Sequence, residues 1–239
     1  MSQIPLSIAL YASPATDCNY LPGQQSTSLF ADPDLPKNKN LHSSLSSQGF
    51  RRSGEFIYRP GCEKCNACIA TRIPVNEFLP SRGQRRTWKQ NQDLTVKVLP
   101  AKFNPEHFEL YQHYLSTRHT NGGMDNPTPE SYMQFLSSSW SETHFLEFRL
   151  DKKLAAIAVV DKLENALSAV YTFFDPDLSK RSLGKFAILY EIEYARKNGL
   201  KWLYLGYWIA ECQKMKYKQD YLPQEHFREN RWIRVLKTL

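Results

Sequence analysis

Residues Trp202 to Trp208 are almost wholly apolar, and a strand without a polar face has to be covered on both sides, so this segment reads as the central strand of a sheet. What surrounds it fits that demand. Phe145 to Leu150, Leu154 to Val160 and Leu167 to Phe174 read as three strands of a meander, separated by charged turns at Asp151 to Lys153 and Asp161 to Asn165. The loop Asp175 to Leu183 leads into a helix over about Gly184 to Asn198, whose apolar stripe ends at Gly199. Beyond the central strand, a helix is expected from about Ala210 to Tyr221 and a last strand from His226 to Val235. Earlier in the chain, Pro105 opens a helix that runs to Arg118, a Gly122-Gly123 turn breaks the pattern, and Thr128 caps a second helix starting at Pro129. Residues 13 to 54 are rich in Ser, Pro, Gly, Asn and Gln and read mainly as loops. Short strands at Glu55 to Tyr58, Ala70 to Val75 and Leu94 to Leu99 suggest a small sheet around the cysteines. The expectation is an α+β (mixed α/β) chain in two parts, a cysteine-containing basic domain over 1–102 and a larger domain over 103–239.

Charge sharpens the division. The chain of 239 residues carries +7, and residues 51 to 102 hold eleven basic against four acidic side chains, which accounts for all of it. Such a concentration suits a polyanion such as RNA, because each neutralised phosphate releases counterions; a solvated basic face kept for solubility is the alternative. A hydrophobic content of 41% excludes wholesale disorder. No stretch approaches the roughly 18 apolar residues of a membrane span, and no basic residues precede the apolar run Ile4 to Ala12, so a cytoplasmic chain with no membrane partner is expected. Five cysteines without an export signal point to a reducing compartment. Cys62, Cys65 and Cys68 stand at two-residue separations with Cys18 upstream, a spacing that suits a structural zinc ion or an edge of an iron-sulfur cluster. Buried thiols packing a short domain, or a redox-active pair, stay open beside that reading.

Three antiparallel strands, a loop, a helix, a central strand, a helix and a closing strand resemble the order of an acetyltransferase-like domain of the GNAT type. In that fold the loop before the central helix offers backbone N–H groups to the donor's phosphates. Here the loop is Arg181-Ser182-Leu183-Gly184-Lys185, with one glycine where an acetyl-CoA site has a longer glycine-bearing run.

More specific motifs span nearly the whole chain: Cys18 to Gly23, Gly49 to Gly54, Tyr58 to Cys68, Phe78 to Arg82 with Arg85 and Arg86, Arg118 to Met124, Tyr171 to Pro176, Arg181 to Gly184, and Tyr204 to Ile209 with Cys212 to Lys218. By these the sequence resembles the arginyl-tRNA-protein transferase family, and within it the bacterial aspartate/glutamate leucyltransferase subclass. Leu21, where eukaryotic members carry a second early cysteine, and the Cys-x2-Cys-x2-Cys run both favour that subclass. The resemblance implies transfer of leucine from a charged tRNA to proteins with N-terminal Asp or Glu, marking them for degradation, with no DNA partner and no cofactor for the chemistry. An acyl-CoA N-acetyltransferase and a non-enzymatic tRNA-binding or metal-binding protein are the competing classes.

The roles that follow are these. Asp175 is the candidate base or amine anchor, with a turn residue before Pro176 as the alternative, and Tyr171 and Tyr207 are candidate donors to oxyanion or ribose, with core packing as theirs. Arg51, Arg52, Arg82, Arg85, Arg86 and Lys89 are expected to track tRNA phosphates, and Arg181 with Gly184 the terminal nucleotides. The acceptor's carboxylate calls for a partly desolvated cation, with Arg59 and Arg72 first, then Arg118 with His119, and Lys216.

Overall fold

The computed structural model describes residues 8–118 and 126–236. Its first half is short strands around two helices: β1 (Leu10–Ala12), β2 (Thr16–Asp17), β3 (Gln25–Ser26), β4 (Ser28–Ala31), α1 (Lys39–Ser47), β5 (Arg51–Ser53), β6 (Phe56–Pro60), β7 (Ile69–Pro74), α2 (Arg82–Gln90) and β8 (Leu94–Pro100). The second half runs α3 (Pro105–Arg118), α4 (Pro129–Leu136), β9 (Thr143–Leu150), β10 (Lys153–Lys162), β11 (Ala166–Phe174), α5 (Leu183–Lys197), β12 (Trp202–Trp208), β13 (Gln224–Arg228) and β14 (Arg231–Val235). The architecture is mixed α/β around one large mixed sheet of eight strands in the order β14-β13-β7-β12-β11-β10-β9-β8, with a four-stranded sheet β1-β4-β6-β5 beside it. Among the described residues no helix is long and apolar enough to cross a membrane.

The central position of β12 follows from its composition. Leu203 and Leu205 join the core under α5, while Tyr204 packs against Trp202 and Trp232. α5 buries Leu183, Phe186, Ala187, Ile188, Leu189, Ile192 and Ala195, the stripe that its apolar spacing requires. α3 and α4 cover a second core of Tyr111, Leu115, Tyr132 and Leu136 against Ile157, Val159 and Phe173.

Four expectations are corrected. The strands near Ala70 and Leu94 do not make a small sheet with the one at Glu55: β7 and β8 join the large sheet, so that sheet draws on both sides of residue 102. The stretch 13–54 holds α1, whose N-cap Asn38 accepts from Leu41 N. No helix spans 210–221. Successive turns close through i to i−3 bonds, Cys212 N to Ile209 O, Met215 N to Cys212 O and Lys218 N to Met215 O, and only a short 3-10 helix forms at Lys216–Asp220. The strand expected over 226–235 is a hairpin, because Glu229 and Asn230 at φ of 51° and 58° form a two-residue turn.

A buried ion pair ties the two sheets together. Arg52 on β5 donates Nε to Asp161 Oδ2 at 2.6 Å and Nη2 to Oδ1 at 2.9 Å, with side-chain exposures of 1% and 0%. Thr143 Oγ1 donates to the same carboxylate at 2.6 Å, and Arg52 also reaches Leu136 O at 2.9 Å. Breaking a buried pair leaves an unpaired ion, so Arg52→Met should lower the unfolding free energy by about 3–5 kcal/mol in urea titrations, and the double variant Arg52→Met, Asp161→Leu should recover part of that loss. A loss under about 1 kcal/mol would show that the pair does not hold the sheets.

Candidate functional site

β11 and β12 run parallel but pair only at Ala166–Trp202, Leu167–Leu203 and Ser168–Tyr204, although β11 continues to Phe174 and β12 to Trp208. The sheet parts there. On one side stand Tyr114, whose ring meets Phe174 edge-on at 5.0 Å, and Arg118, whose guanidinium lies 5.7 Å from the same ring centre. Gly184 also backs onto Phe174, where a Cβ would approach to 3.2 Å. The N-cap of α5, Ser182, sits at φ 53° and makes no side-chain cap, and the helix's first turn carries no acidic residue. Its leading N–H groups are therefore suited to an anion.

Glu191, on α5, is fully buried, and neither carboxyl oxygen has a hydrogen-bond partner. Burial pushes its pKa up to about 8, so at neutral pH the group holds its proton. Its charge would reach Tyr217 and Tyr221, and Tyr217 in turn lies within electrostatic reach of Tyr114.

A second unusual group lies beside β12. Arg51 is 5% exposed, with Nη2 donating to Thr71 O at 3.1 Å and its guanidinium 4.9 Å from the centre of the Tyr204 ring, while its Nε has no partner. Lys218, 8% exposed, donates to Tyr207 O at 2.6 Å. Burial and the neighbouring Arg51 pull its pKa down to about 7. Gly206, at φ 82°, leaves the space between them open: a Cβ there would meet Lys218 Nζ at 3.4 Å and Arg51 Nε at 4.0 Å. Tyr207 and Tyr58 link this pair to the cysteines. The Tyr207 hydroxyl donates to Gly49 O at 2.9 Å, and a cleft of about 620 Å³ opens beside it, lined among others by Gly49, Arg59, Cys62, Cys65, Cys68 and Tyr207.

All five cysteines are free thiols. Burial pushes the Cys68 thiol up to about 11, helped by Cys62, Cys18, Cys65 and Cys212, so Cys212, remote in sequence, comes to the same region. The donor set has the soft chemistry of a zinc or iron-sulfur site. Its spacing does not match one: among the described residues, the only three or more His, Cys, Asp or Glu ligand atoms within 4.8 Å of one another belong to His113, Asp175 and Asp177.

The family model described as arginine-tRNA-protein transferase, N terminus, matches residues 16–86, and the corresponding C-terminal model matches residues 106–228. The chain belongs to the arginine-tRNA-protein transferase family. Within that family it is 50% identical to the aspartate/glutamate leucyltransferase of Hahella chejuensis, over 96% of this chain and 98% of that one. The protein of the same description from Nitrosococcus oceani is also 50% identical, over 95% of this chain and 96% of its own. Solved structures are less similar. FemX is 9% identical with a TM-score of 0.44, covering 76% of this chain and 63% of its own. L-PGS from Bacillus licheniformis is 14% identical with a TM-score of 0.46, covering 59% and 45%. Likenesses that loose have no bearing on the site.

Against this family background, the residues singled out in the sequence separate into groups. Arg82, Arg85, Arg86 and Lys89 are exposed on α2, which a capping box of Ser81 and Gln84 starts. α2 packs on α5, where a second cleft of about 470 Å³, lined by Phe78, Trp88, Leu189 and Ile192, has Arg85 among its lining residues. Arg59 lies at the cysteine cleft, with its guanidinium 5.0 Å from the Phe50 ring centre. Lys216 is exposed. Arg181 is held by Asp93 through two bonds of 2.8 Å. His119 lies outside the described residues.

Three assignments are corrected. Arg52 is consumed by the buried pair with Asp161, and Arg51 is buried against β12, so neither faces a phosphate track. Arg72 is sandwiched between Trp202 and Trp232, at 3.8 and 4.2 Å, and paired with Glu225 at 2.7 Å, so its charge is already met. The three aromatic and acidic candidates are also engaged. Asp175 caps the turn Pro176–Arg181, accepts from Asp177 N at 2.9 Å and pairs with Lys153 Nζ at 2.7 Å. Tyr171 packs among Tyr111, Tyr114, Phe135 and Phe173. The Tyr207 hydroxyl serves the backbone of Gly49. Glu191, Tyr217 and Lys218 carry no distinguishing signal in the sequence: Glu191 is one acidic residue among apolar ones on a helix, and Lys218 is one of three lysines between positions 214 and 218.

Glu191 makes a pH-dependent prediction. Its carboxyl has an ordinary pKa of 4.5 when unfolded and about 8 when folded, so between those values unfolding releases a proton and stability falls as pH rises. Glu191→Gln removes this loss. Its stability relative to the parent protein should climb by about 1.4 kcal/mol per pH unit between pH 5 and pH 8, read from urea midpoints. A constant offset across that range would place an ionised carboxylate in the folded protein.

Proposed function

We propose that this chain transfers leucine from leucyl-tRNA to the α-amine of proteins that begin with Asp or Glu, marking them for degradation in the cytoplasm. The observation that carries the reading is 50% identity over 95–96% of the chain with family members described as aspartate/glutamate leucyltransferases. Other features support it. The basic face of α2 suits tRNA phosphates, and the uncapped start of α5 suits the phosphates near the charged end. The order of β9, β10, β11, α5 and β12, with a parallel pair that parts, supports the GNAT-type reading of the second half.

The chemistry is one of positioning. The donor is an activated ester, and the acceptor amine, with an ordinary pKa of about 7.7–8.0, is partly neutral at pH 7. Its nitrogen attacks the ester carbonyl, the bond to the ribose oxygen breaks as the amide forms, and the amine's proton leaves as the ribose hydroxyl regains one. No covalent enzyme intermediate is needed. Holding both reactants at the parted strands supplies much of the catalysis, roughly 7–11 kcal/mol in favourable cases.

Cys18, Cys62, Cys65 and Cys68 are proposed as the thiols of a structural zinc or iron-sulfur site, around which their sulfurs would have to draw together; a cation would offset the mutual opposition of their ionisation, and no step of the transfer runs through it. Metal analysis of protein purified without oxygen should give about one equivalent of zinc or a cluster chromophore, lost in Cys65→Ser. Metal-free protein with unaltered melting would remove the assignment.

The function is tested with labelled leucyl-tRNA, arginyl-tRNA or acetyl-CoA and peptides beginning in Asp, Glu, Lys or Arg. Leucine should move to Asp and Glu peptides alone. Exclusive arginine transfer would reassign the donor, and acetyl transfer or no transfer would put the chain in another class. Arg82→Glu with Arg85→Glu should raise KM for leucyl-tRNA and flatten its salt dependence, leaving the peptide KM nearly unchanged.

A further inference from the structure

Among the described residues, two basic side chains stand buried beside β12 with no carboxylate against either. Arg51 and Lys218 are 5% and 8% exposed, and their polar contacts are to carbonyl oxygens: Thr71 O at 3.1 Å for one, Tyr207 O at 2.6 Å for the other. The Arg51 Nε–H is buried and unsatisfied. Elsewhere the protein pairs its buried charge, as Arg52 with Asp161 and Glu147 with Arg149 show. Desolvated like charges side by side cost free energy, and the cost is recovered when an anion arrives between them.

Gly206 keeps a side chain away from both nitrogens: a Cβ there would stand 3.4 Å from Lys218 Nζ and 4.0 Å from Arg51 Nε. We propose that Arg51 and Lys218, across Gly206, hold the side-chain carboxylate of the acceptor's N-terminal Asp or Glu. This deepens the leucyl-transfer reading and rests on it. Three observations favour a carboxylate over an RNA phosphate. The pair is buried, and a carboxylate on an arm of one or two methylenes at a chain end is a far smaller intrusion than a phosphate fixed inside a polynucleotide. The pair adjoins the acceptor-sized cleft through Tyr207, which lines the cleft and whose carbonyl holds Lys218. The exposed arginines that suit RNA lie elsewhere, on α2. Asn and Gln have the same shape without the charge, so this pocket separates acceptors by ionisation.

The test measures leucyl transfer to peptides beginning in Asp, Glu, Asn or Gln by the parent protein, Lys218→Met, Lys218→Arg and Arg51→Lys. In Lys218→Met, kcat/KM for Asp and Glu peptides should fall on the order of tenfold to a hundredfold, while transfer to Asn and Gln peptides and KM for leucyl-tRNA stay as in the parent. Lys218→Arg, which keeps the charge, should retain a preference for Asp over Asn. In the parent protein with isotope-labelled arginine, the Nε–H resonance lost in Arg51→Lys should shift on adding an Asp peptide but not an Asn peptide. That measurement decides the matter if Lys218→Met does not fold. Undiminished Asp preference in a folded Lys218→Met, or a resonance unmoved by the Asp peptide, would overturn the proposal. A matching loss of leucyl-tRNA affinity would assign the pair to phosphate. A parent protein that transfers leucine to neither Asp nor Glu peptides would instead sink the function on which the inference rests.

Discussion

The bidentate contact between Arg52 and Asp161 is what sets the small sheet against the large one. The two residues are 109 positions apart in sequence and almost completely buried. Desolvating both ions costs several kcal/mol each, which offsets much of what their attraction contributes. What the ions add is direction. One placement of β5 over β10 satisfies the guanidinium fork, the Thr143 hydroxyl and the Leu136 carbonyl together. Consecutive residues on a strand point to opposite faces, so fixing Arg52 inward on β10 aims Arg51 at β12. The position of the cation beside Gly206 is thus a consequence of the pair next to it.

Stability does not explain what lies on either side of the parted strands. Among the described residues, Glu191, on α5, has two unsatisfied oxygens, the Arg51 Nε has no partner, and no carboxylate pairs with Arg51 or Lys218. Each group adapts differently. A carboxyl can keep its proton, and Glu191 does so up to about pH 8. A guanidinium keeps its proton, so burial, and after it the neighbouring Arg51, act on Lys218, whose pKa drops to about 7. Buried groups elsewhere show that this chain can satisfy such demands: His107 Nε2 meets Glu147 at 2.7 Å, and Arg149 joins Glu147 to Glu106. Local rules are broken where the sheet parts, and that is where function is expected to have set the residues.

Periodicity made the local elements legible. α3 starts and stops at Pro105 and Arg118 as read, and the meander and α5 fall within a few residues of their expected bounds. Partnership was less legible, because alternation identifies a strand without naming its neighbour. β7 looked like part of a cysteine-centred sheet and instead lies between β12 and β13, and β8 lies at the far edge. Adjacent arginines at 51 and 52 read as surface charge, since only Asp161 and β12, both remote in sequence, turn them inward. The 210–221 segment has helical spacing, but its i to i−3 turns and the bond from Lys218 to Tyr207 O divert it. The α2 helix was readable and overlooked: Ser81 and Gln84 form a capping box signature.

A transferase that joins an acidic N-terminus to an amino acid carried by RNA has to bring two anions to one point without confusing them. The fold offers two cationic surfaces of different kind. α2 packs on α5 through Trp88, Phe186 and Tyr190, on the side where α5 begins, and its arginines are open to solvent. Charges of that sort attract a polyanion over several ångströms and weaken with salt. Arg51 and Lys218 lie on the side of the small sheet and the cysteine cleft, buried, where a low dielectric strengthens short contacts and a carboxylate at a chain end is a far smaller intrusion than a continuous phosphate backbone. Exposure and burial thus separate the two substrates where charge sign alone cannot. Between them lies β12, whose bulge between Tyr204 and Gly206 falls where its pairing with β11 ends. An ester delivered along the start of α5 and an amine anchored through its own side chain at Gly206 therefore approach the same break in the sheet from opposite sides.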